Sequence, residues 1–346
     1  MKRAFILQIA IVLCAFASCR SNAQTRVAST EQERFRLAAE YSRDQRGLSI
    51  LVMKGDKIIF EDYQNGHSAE TPWMLASGTK SFSGVMLAAA IEDGLVNGFD
   101  EKVSDTITEW KADPKKQNIT IRQLLSLTSG ISAGQIGRVP SYADAILSPM
   151  SHRPGEQFEY GPVPFQVFGE LMSRKLALKK DDVMSYLKRR ILDPIGLKVA
   201  DWKTENGQPL LPQGASLTAR EWVKFGLFLK NGGKWNGKQI VKKSLLNALV
   251  IGSKANPAYG ITFWLNHDGT DPRGRKIGRG NVVNEISESG IAAGVPDLYM
   301  AAGAANQRLY VIPSLDLVIV RQGRLAKWDD HEFLARLLSG VGSPAL

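Results

Sequence analysis

Strand-forming runs stand at the two ends of this 346-residue chain, and helical patterns fill the stretch between them. Residues 48–54 and 57–64 are short β-type runs joined by Gly55-Asp56, which predicts a hairpin. Strand patterns return only at 259–265, 297–302, 307–312 and 315–321. Between them lie helical patterns at 80–93 (closed by Gly94), 121–127 (capped by Thr120, ended by Ser129-Gly130), 163–175, 181–190 and 218–229 (stopped by Gly232-Gly233). A closing helix is expected at 331–338. Such an order predicts an α+β fold: early and late strands share one antiparallel sheet, and residues 95–250, roughly, form a helical lobe. A cleft between sheet and lobe is the natural place for a site. The length exceeds the usual single domain, so one large or two intimate domains are expected. No repeat or low-complexity tract interrupts the chain.

The formal charge is +10, from 44 basic and 34 acidic residues. The densest basic clusters, Lys188-Arg189-Arg190 and Arg273-Gly274-Arg275-Lys276, are short and lack interleaved aromatics. A solvated basic surface is expected, and no nucleic-acid partner. Lys2 and Arg3 precede an apolar stretch over 4–17 that is too short to span a bilayer, so residues 1–23 are read as an export signal. Phe16-Ala17-Ser18-Cys19 resembles a lipobox, which would end the signal at 18 and lipidate Cys19; Ser21-Asn22-Ala23 offers the small-x-small alternative. A polar leader then spans 24–32 and the main domain 33–340. Cys14 is lost under either processing, so no disulfide is expected in the mature chain. The expected location is the periplasm or cell envelope, with membrane attachment only through a lipid on Cys19.

Ser77-Gly78-Thr79-Lys80 sits between a turn-like stretch and the helical run that begins at Lys80. Residues three apart share a helix face, which brings the Ser77 hydroxyl beside the Lys80 amine. A serine is a weak nucleophile without a neighbouring base, and a lysine whose pKa is depressed by partial burial can be that base. If Ser77 opens the helix, the dipole's positive end favours negative charge developing there. The same letters also fit an N-cap serine followed by a surface lysine. Tyr160, at a turn before the 163–175 helix, is a second candidate base, or else a packing aromatic. Gly130-Ile131-Ser132-Ala133-Gly134 matches G-x-S-x-G, but a helical run precedes it where that motif needs a strand. The histidines His67, His152, His267 and His331 have no ligand spacing, so no metal is expected. Gly278-Arg279-Gly280 reads as a turn.

Taken together, these residues resemble the serine β-lactamase and penicillin-recognising superfamily. The branch is that of class C β-lactamases, family VIII-type esterases and 6-aminohexanoate-dimer hydrolases. The resemblance covers about residues 33–325. It is carried by Ser77-Gly78-Thr79-Lys80, by the block from Ile121 to Ile131, and by Phe158-Glu159-Tyr160, Thr218-Ala219-Arg220-Glu221-Trp222 and Pro313-Ser314-Leu315-Asp316-Leu317. It implies a β-lactamase/transpeptidase-like fold and a cofactor-free hydrolase. Ser77 would be acylated, Lys80 and Tyr160 would share the proton transfers, and backbone N–H groups of Ser77 and Ala304 would form the oxyanion hole. Counting back from Pro313 places the third motif on Ala301-Ala302-Gly303. Two substrate-facing positions depart from the relatives' pattern. Pro162 replaces an Asn and offers neither a polar side chain nor an N–H; Ala301 replaces a Lys, His or Trp. The expected substrate is therefore a small ester or amide, with efficient β-lactam turnover doubtful. The alternative is a catalytically weak, penicillin-binding-like protein that holds cell-wall or acyl fragments.

Overall fold

The computed structural model describes residues 30–277 and 295–339. The expected export signal, Cys19 and Gly278-Arg279-Gly280 lie outside the described residues. The first element is α1 (Glu31–Asp44), followed by β1 (Gly47–Lys54) and β2 (Lys57–Tyr63). Near the other end stand β3 (Trp264–Leu265), β4 (Tyr299–Gly303), β5 (Gln307–Ile312) and β6 (Leu317–Gly323). They form one antiparallel sheet in the order β3-β4-β5-β6-β1-β2. The pairing of β1 with β6 (Val52 opposite Ile319) joins the two ends of the chain, as the placement of the strand patterns requires.

Both central strands are buried on both faces, which explains why β1 and β6 read as nearly continuous apolar runs. One face is covered by α1 and the closing helix, the other by the helix Ala219–Lys230. Helix α1 departs from the sequence-based expectation, which places Glu31 and Gln32 in a polar leader and no element over 33–44. Its buried stripe is Phe35, Ala38, Ala39 and Ser42, at helical spacing but with three small side chains, so it gives little apolar signal among charged neighbours. Thr30 caps the helix by accepting from the Glu33 N–H at 3.2 Å.

In the lobe, α2 (Lys80–Glu92) is buried from Lys80 through Ala90 and packs Phe82 on Phe225 with ring centroids 4.2 Å apart. Helix α3 (Ile121–Leu125) starts at the expected cap, where Thr120 and Gln123 form a capping box. Next come α4 (Val163–Ala177) and α5 (Ala219–Lys230), and α6 (Asp330–Ser339) closes the fold. The 181–190 helix is shorter than expected: Val183–Leu187 is α-helical and passes into a π turn at Lys188–Leu192. Of the expected strand over 259–265, only Trp264–Leu265 pairs in the sheet. Thr262 is left-handed (φ 71°), and Gly260 donates to the Phe263 carbonyl at 2.9 Å, so the chain turns back on itself there. The last strand begins at Leu317, because Pro313–Leu315 form a 3₁₀ turn ended by left-handed Asp316.

Candidate active site

Ser77 lies in a 3₁₀ turn, Ala76–Thr79, that immediately precedes α2, so Lys80 and not Ser77 opens the α-helix. A single residue, Ala215, grips the turn at both ends. Its carbonyl accepts from the Leu75 N–H at 2.9 Å, and its N–H donates to the Thr79 hydroxyl at 3.2 Å. Ala76, just before the serine, is left-handed at φ 46°, a conformation that costs a non-glycine residue about 1–2 kcal/mol. Backbone strain of this kind persists only where packing enforces it.

The tighter 3₁₀ turn still places Lys80 beside Ser77. Lys80 Nζ donates to Ser77 Oγ at 3.0 Å and to the Pro212 carbonyl at 3.0 Å. The side chain belongs to a residue only 4% exposed, and its Nζ lies 5.0 Å from the Tyr160 ring centre and 5.2 Å from that of Phe165. Burial, with no carboxylate paired to it among the described residues, disfavours the ammonium and brings the Lys80 pKa down to about 7. Tyr160 moves the other way. Burial raises its phenol to about 12, although a hydrogen bond with Ser77 and the positive charge of Arg308 oppose the rise. Tyr160 packs against Trp264 at 5.7 Å and Tyr259 at 6.2 Å.

Glycines permit two close approaches here. A Cβ on Gly161 would stand 2.1 Å from the Ala133 carbonyl oxygen, so only glycine lets the Tyr160 segment press against the 130–134 loop. A Cβ on Gly303 would stand 2.0 Å from the Leu75 carbonyl oxygen and 3.0 Å from the Gly78 nitrogen, so β4 abuts the serine turn. Ser77, Tyr160, Gly303 and Ala304 consequently line one cavity of about 320 Å³. Its walls include Trp264, Met300 and Ala302, with Ile136 and Arg273 at other points of the lining.

Two expected substrate-facing residues do not line this cavity. Ala301 is 2% exposed and turned into the core, while its neighbour Ala302 reaches the cavity, as the alternation of a strand requires. Pro162 is buried as the residue capping α4. Ser132 is also absent from the lining; its N–H donates to the Pro149 carbonyl at 2.8 Å, within a loop that braces Tyr160. Sequence reasoning missed Trp264, Arg308 and the Pro212 carbonyl. Arg308 stands at the polar start of its strand, after Asn306 and Gln307, and gives no local signal; all three are brought in by tertiary packing. Among the described residues no cluster of three or more His, Cys, Asp or Glu side chains could hold a metal ion.

The family model described as Beta-lactamase matches residues 22–322. Protein flp of Staphylococcus aureus (strain MW2) is 28% identical over 180 residues, which make up 46% of this chain and 35% of that protein. The match therefore spans about a third of the relative's length. EstCE1, described as a hydrolase with promiscuous acyltransferase activity, superposes with a TM-score of 0.67 at 14% identity, covering 89% of this chain and 98% of the other. A D-stereospecific amidohydrolase from Streptomyces sp. gives a TM-score of 0.61 at 14% identity, covering 91% and 100%. At these identities the structural likeness establishes the fold, which is β-lactamase/transpeptidase-like.

Proposed function

This chain belongs to the beta-lactamase family, and from that premise we propose that it is an exported serine hydrolase that cleaves small esters or amides through an acyl-enzyme on Ser77. The observation that carries the reading is Lys80: buried, 3.0 Å from Ser77 Oγ, with a pKa brought down to about 7. A neutral amine at that distance accepts the serine proton as Oγ attacks the substrate carbonyl carbon. The carbonyl oxygen becomes an oxyanion facing the N–H groups of Ser77 and Ala304. Collapse breaks the bond to the leaving group, which takes the proton from Lys80 through the Tyr160 hydroxyl. With its pKa at about 12, Tyr160 is a neutral phenol near neutral pH and suits a relay better than a standing base. Lys80 is therefore the primary base. Water then attacks the acyl-enzyme, and the same groups act in reverse.

The mostly apolar wall of Trp264, Met300 and Ala302 favours substrates with an apolar group beside the reacting carbonyl. On β4 the residue that reaches the cavity is Ala302, which supplies no cation for a β-lactam carboxylate, and Arg308 in the lining is already paired with Asp330, so nitrocefin turnover is expected to be slow. Turnover of p-nitrophenyl acetate or butyrate by wild type and Ser77→Ala tests the central claim. Loss in the variant is expected, and equal rates would remove the hydrolase reading.

One observation favours a second reading. With Pro162 and Ala301 both buried off the cavity, neither of these two positions offers a polar side chain to a substrate. A catalytically weak protein that binds cell-wall or acyl fragments would form a lasting adduct on Ser77 without multiple turnover. Export and lipid attachment at Cys19 rest on Lys2, Arg3, the apolar residues 4–17 and the lipobox-like tetrapeptide. Palmitate incorporation should disappear in Cys19→Ser; incorporation that survives removes the lipoprotein part.

A further inference from the structure

The turn after β4 joins the cavity to a buried polar network. Gly303 and Gln307 pair across the β4–β5 hairpin, and the connection contains two successive left-handed residues, Ala305 (φ 57°) and Asn306 (φ 65°). Asparagine tolerates that region, but the Cβ of an alanine crowds the following carbonyl. Such a turn persists only when its surroundings over-determine it.

Three side chains do so. Gln307 is fully buried, and the two hydrogens of its Nε2 are shared among the carbonyls of Gly323 (2.7 Å), Ala305 (3.0 Å) and Ala304 (3.3 Å). Its Oε1 accepts from the Gly323 N–H at 3.1 Å. Arg321, also fully buried, reaches from β6 to the carbonyls of Asn306 (2.9 Å) and Ala305 (3.5 Å), and to that of Gln45 at 2.8 Å. Its guanidinium stacks 4.1 Å from the Trp328 ring centre. Arg308, held by Asp330 at 2.7 and 3.0 Å, donates to the Gly303 carbonyl at 3.2 Å. Every carbonyl from Gly303 to Asn306 thus accepts from one of these side chains. Carbonyl oxygens would repel an oxyanion, and with all four already engaged by side-chain donors the N–H groups of the turn are left for the cavity.

We propose that Gln307 and Arg321 are positioning residues for the oxyanion site, holding the carbonyls of Ala304, Ala305 and Asn306 so that the Ala304 N–H faces the substrate oxygen. The inference rests on the reading of Ser77 as nucleophile and Ala304 as second donor. It is tested in the whole chain with Gln307→Met and Arg321→Lys, by p-nitrophenyl butyrate kinetics and by affinity for an alkyl boronic acid. The boronic acid forms a tetrahedral adduct on Ser77 and reads the oxyanion site without turnover. In Gln307→Met, kcat is expected to fall by about 10- to 100-fold, with KM near the wild-type value and boronate affinity reduced by a similar factor. Arg321→Lys, which keeps the charge but loses the planar fork, should show the same pattern more weakly. Wild-type kcat in a folded variant overturns the proposal, as does lost turnover with boronate affinity intact. Should Gln307→Met fail to fold, Arg321→Lys is decided by the same two readings. Ser77→Ala, run alongside, separates the two levels. Full activity there removes the serine-hydrolase reading and this inference with it, whereas an inactive Ser77→Ala beside an unaffected Gln307→Met removes this inference alone.

Discussion

On the proposed mechanism, the buried side chain of Lys80 links reactivity to pH. Its amine loses a proton at about 7 in the folded protein because burial disfavours the ammonium. The neutral, proton-accepting form therefore grows as pH rises through 7 and is lost below it. Burst-phase acylation by p-nitrophenyl butyrate should rise with pH across that window in wild type. Lys80→Met should lower kcat/KM by about 10²- to 10⁴-fold and flatten the profile. A wild-type rate independent of pH between 5 and 9 would remove Lys80 as the base. The spacing of Ser77 and Lys80 could be read locally, whereas Tyr160 was open between base and packing aromatic until the resemblance gave it a role. Trp264 and the Pro212 carbonyl could not be read locally, because each stands more than a hundred residues from Ser77 in the chain.

At the scale of elements, the approach of β4 to the serine turn depends on the missing side chain at Gly303. In Gly303→Ala the new Cβ would lie 2.0 Å from the Leu75 carbonyl oxygen, so strand and turn must separate. A displaced Ala304 N–H should cost about 10²- to 10³-fold in kcat, measurable with the same ester, while Ser77 stays reactive toward a fluorophosphonate. The strand β5 was readable to its limits, 307–312, but the face each residue of β4 presents was not. Counting back from Pro313 put the first motif position on Ala301, whereas the pleat sends Ala301 inward and Ala302 to the cavity. A one-residue slip reverses every face of a strand, and register comes from pairing partners rather than from the strand itself.

For the whole molecule, the same Lys80 shift becomes a stability effect. The unfolded chain holds this proton up to the ordinary lysine value of 10.5, the folded chain only to about 7. Between those values the unfolded state binds more protons, so stability should rise with pH across that window and lose this contribution to the slope in Lys80→Met. Urea unfolding at several pH values measures it. Helix α1 contributes on the other side of the sheet: Phe35, 2% exposed and 5.6 Å from the Phe60 ring, should cost about 3–5 kcal/mol when changed to alanine. An unchanged urea midpoint would show that α1 is not integral to the core. By itself the sequence determined the fold class, most of the order of strands and helices, and the pairing of Ser77 with Lys80, because all three depend on periodicity, caps and short spacing. Tertiary structure decided the rest. It buried Lys80 to lower its pKa, set β4 against the serine turn, chose Ala302 over Ala301 for the cavity, and drew in Trp264, Arg308 and Arg321, because burial and register arise only when distant segments pack together.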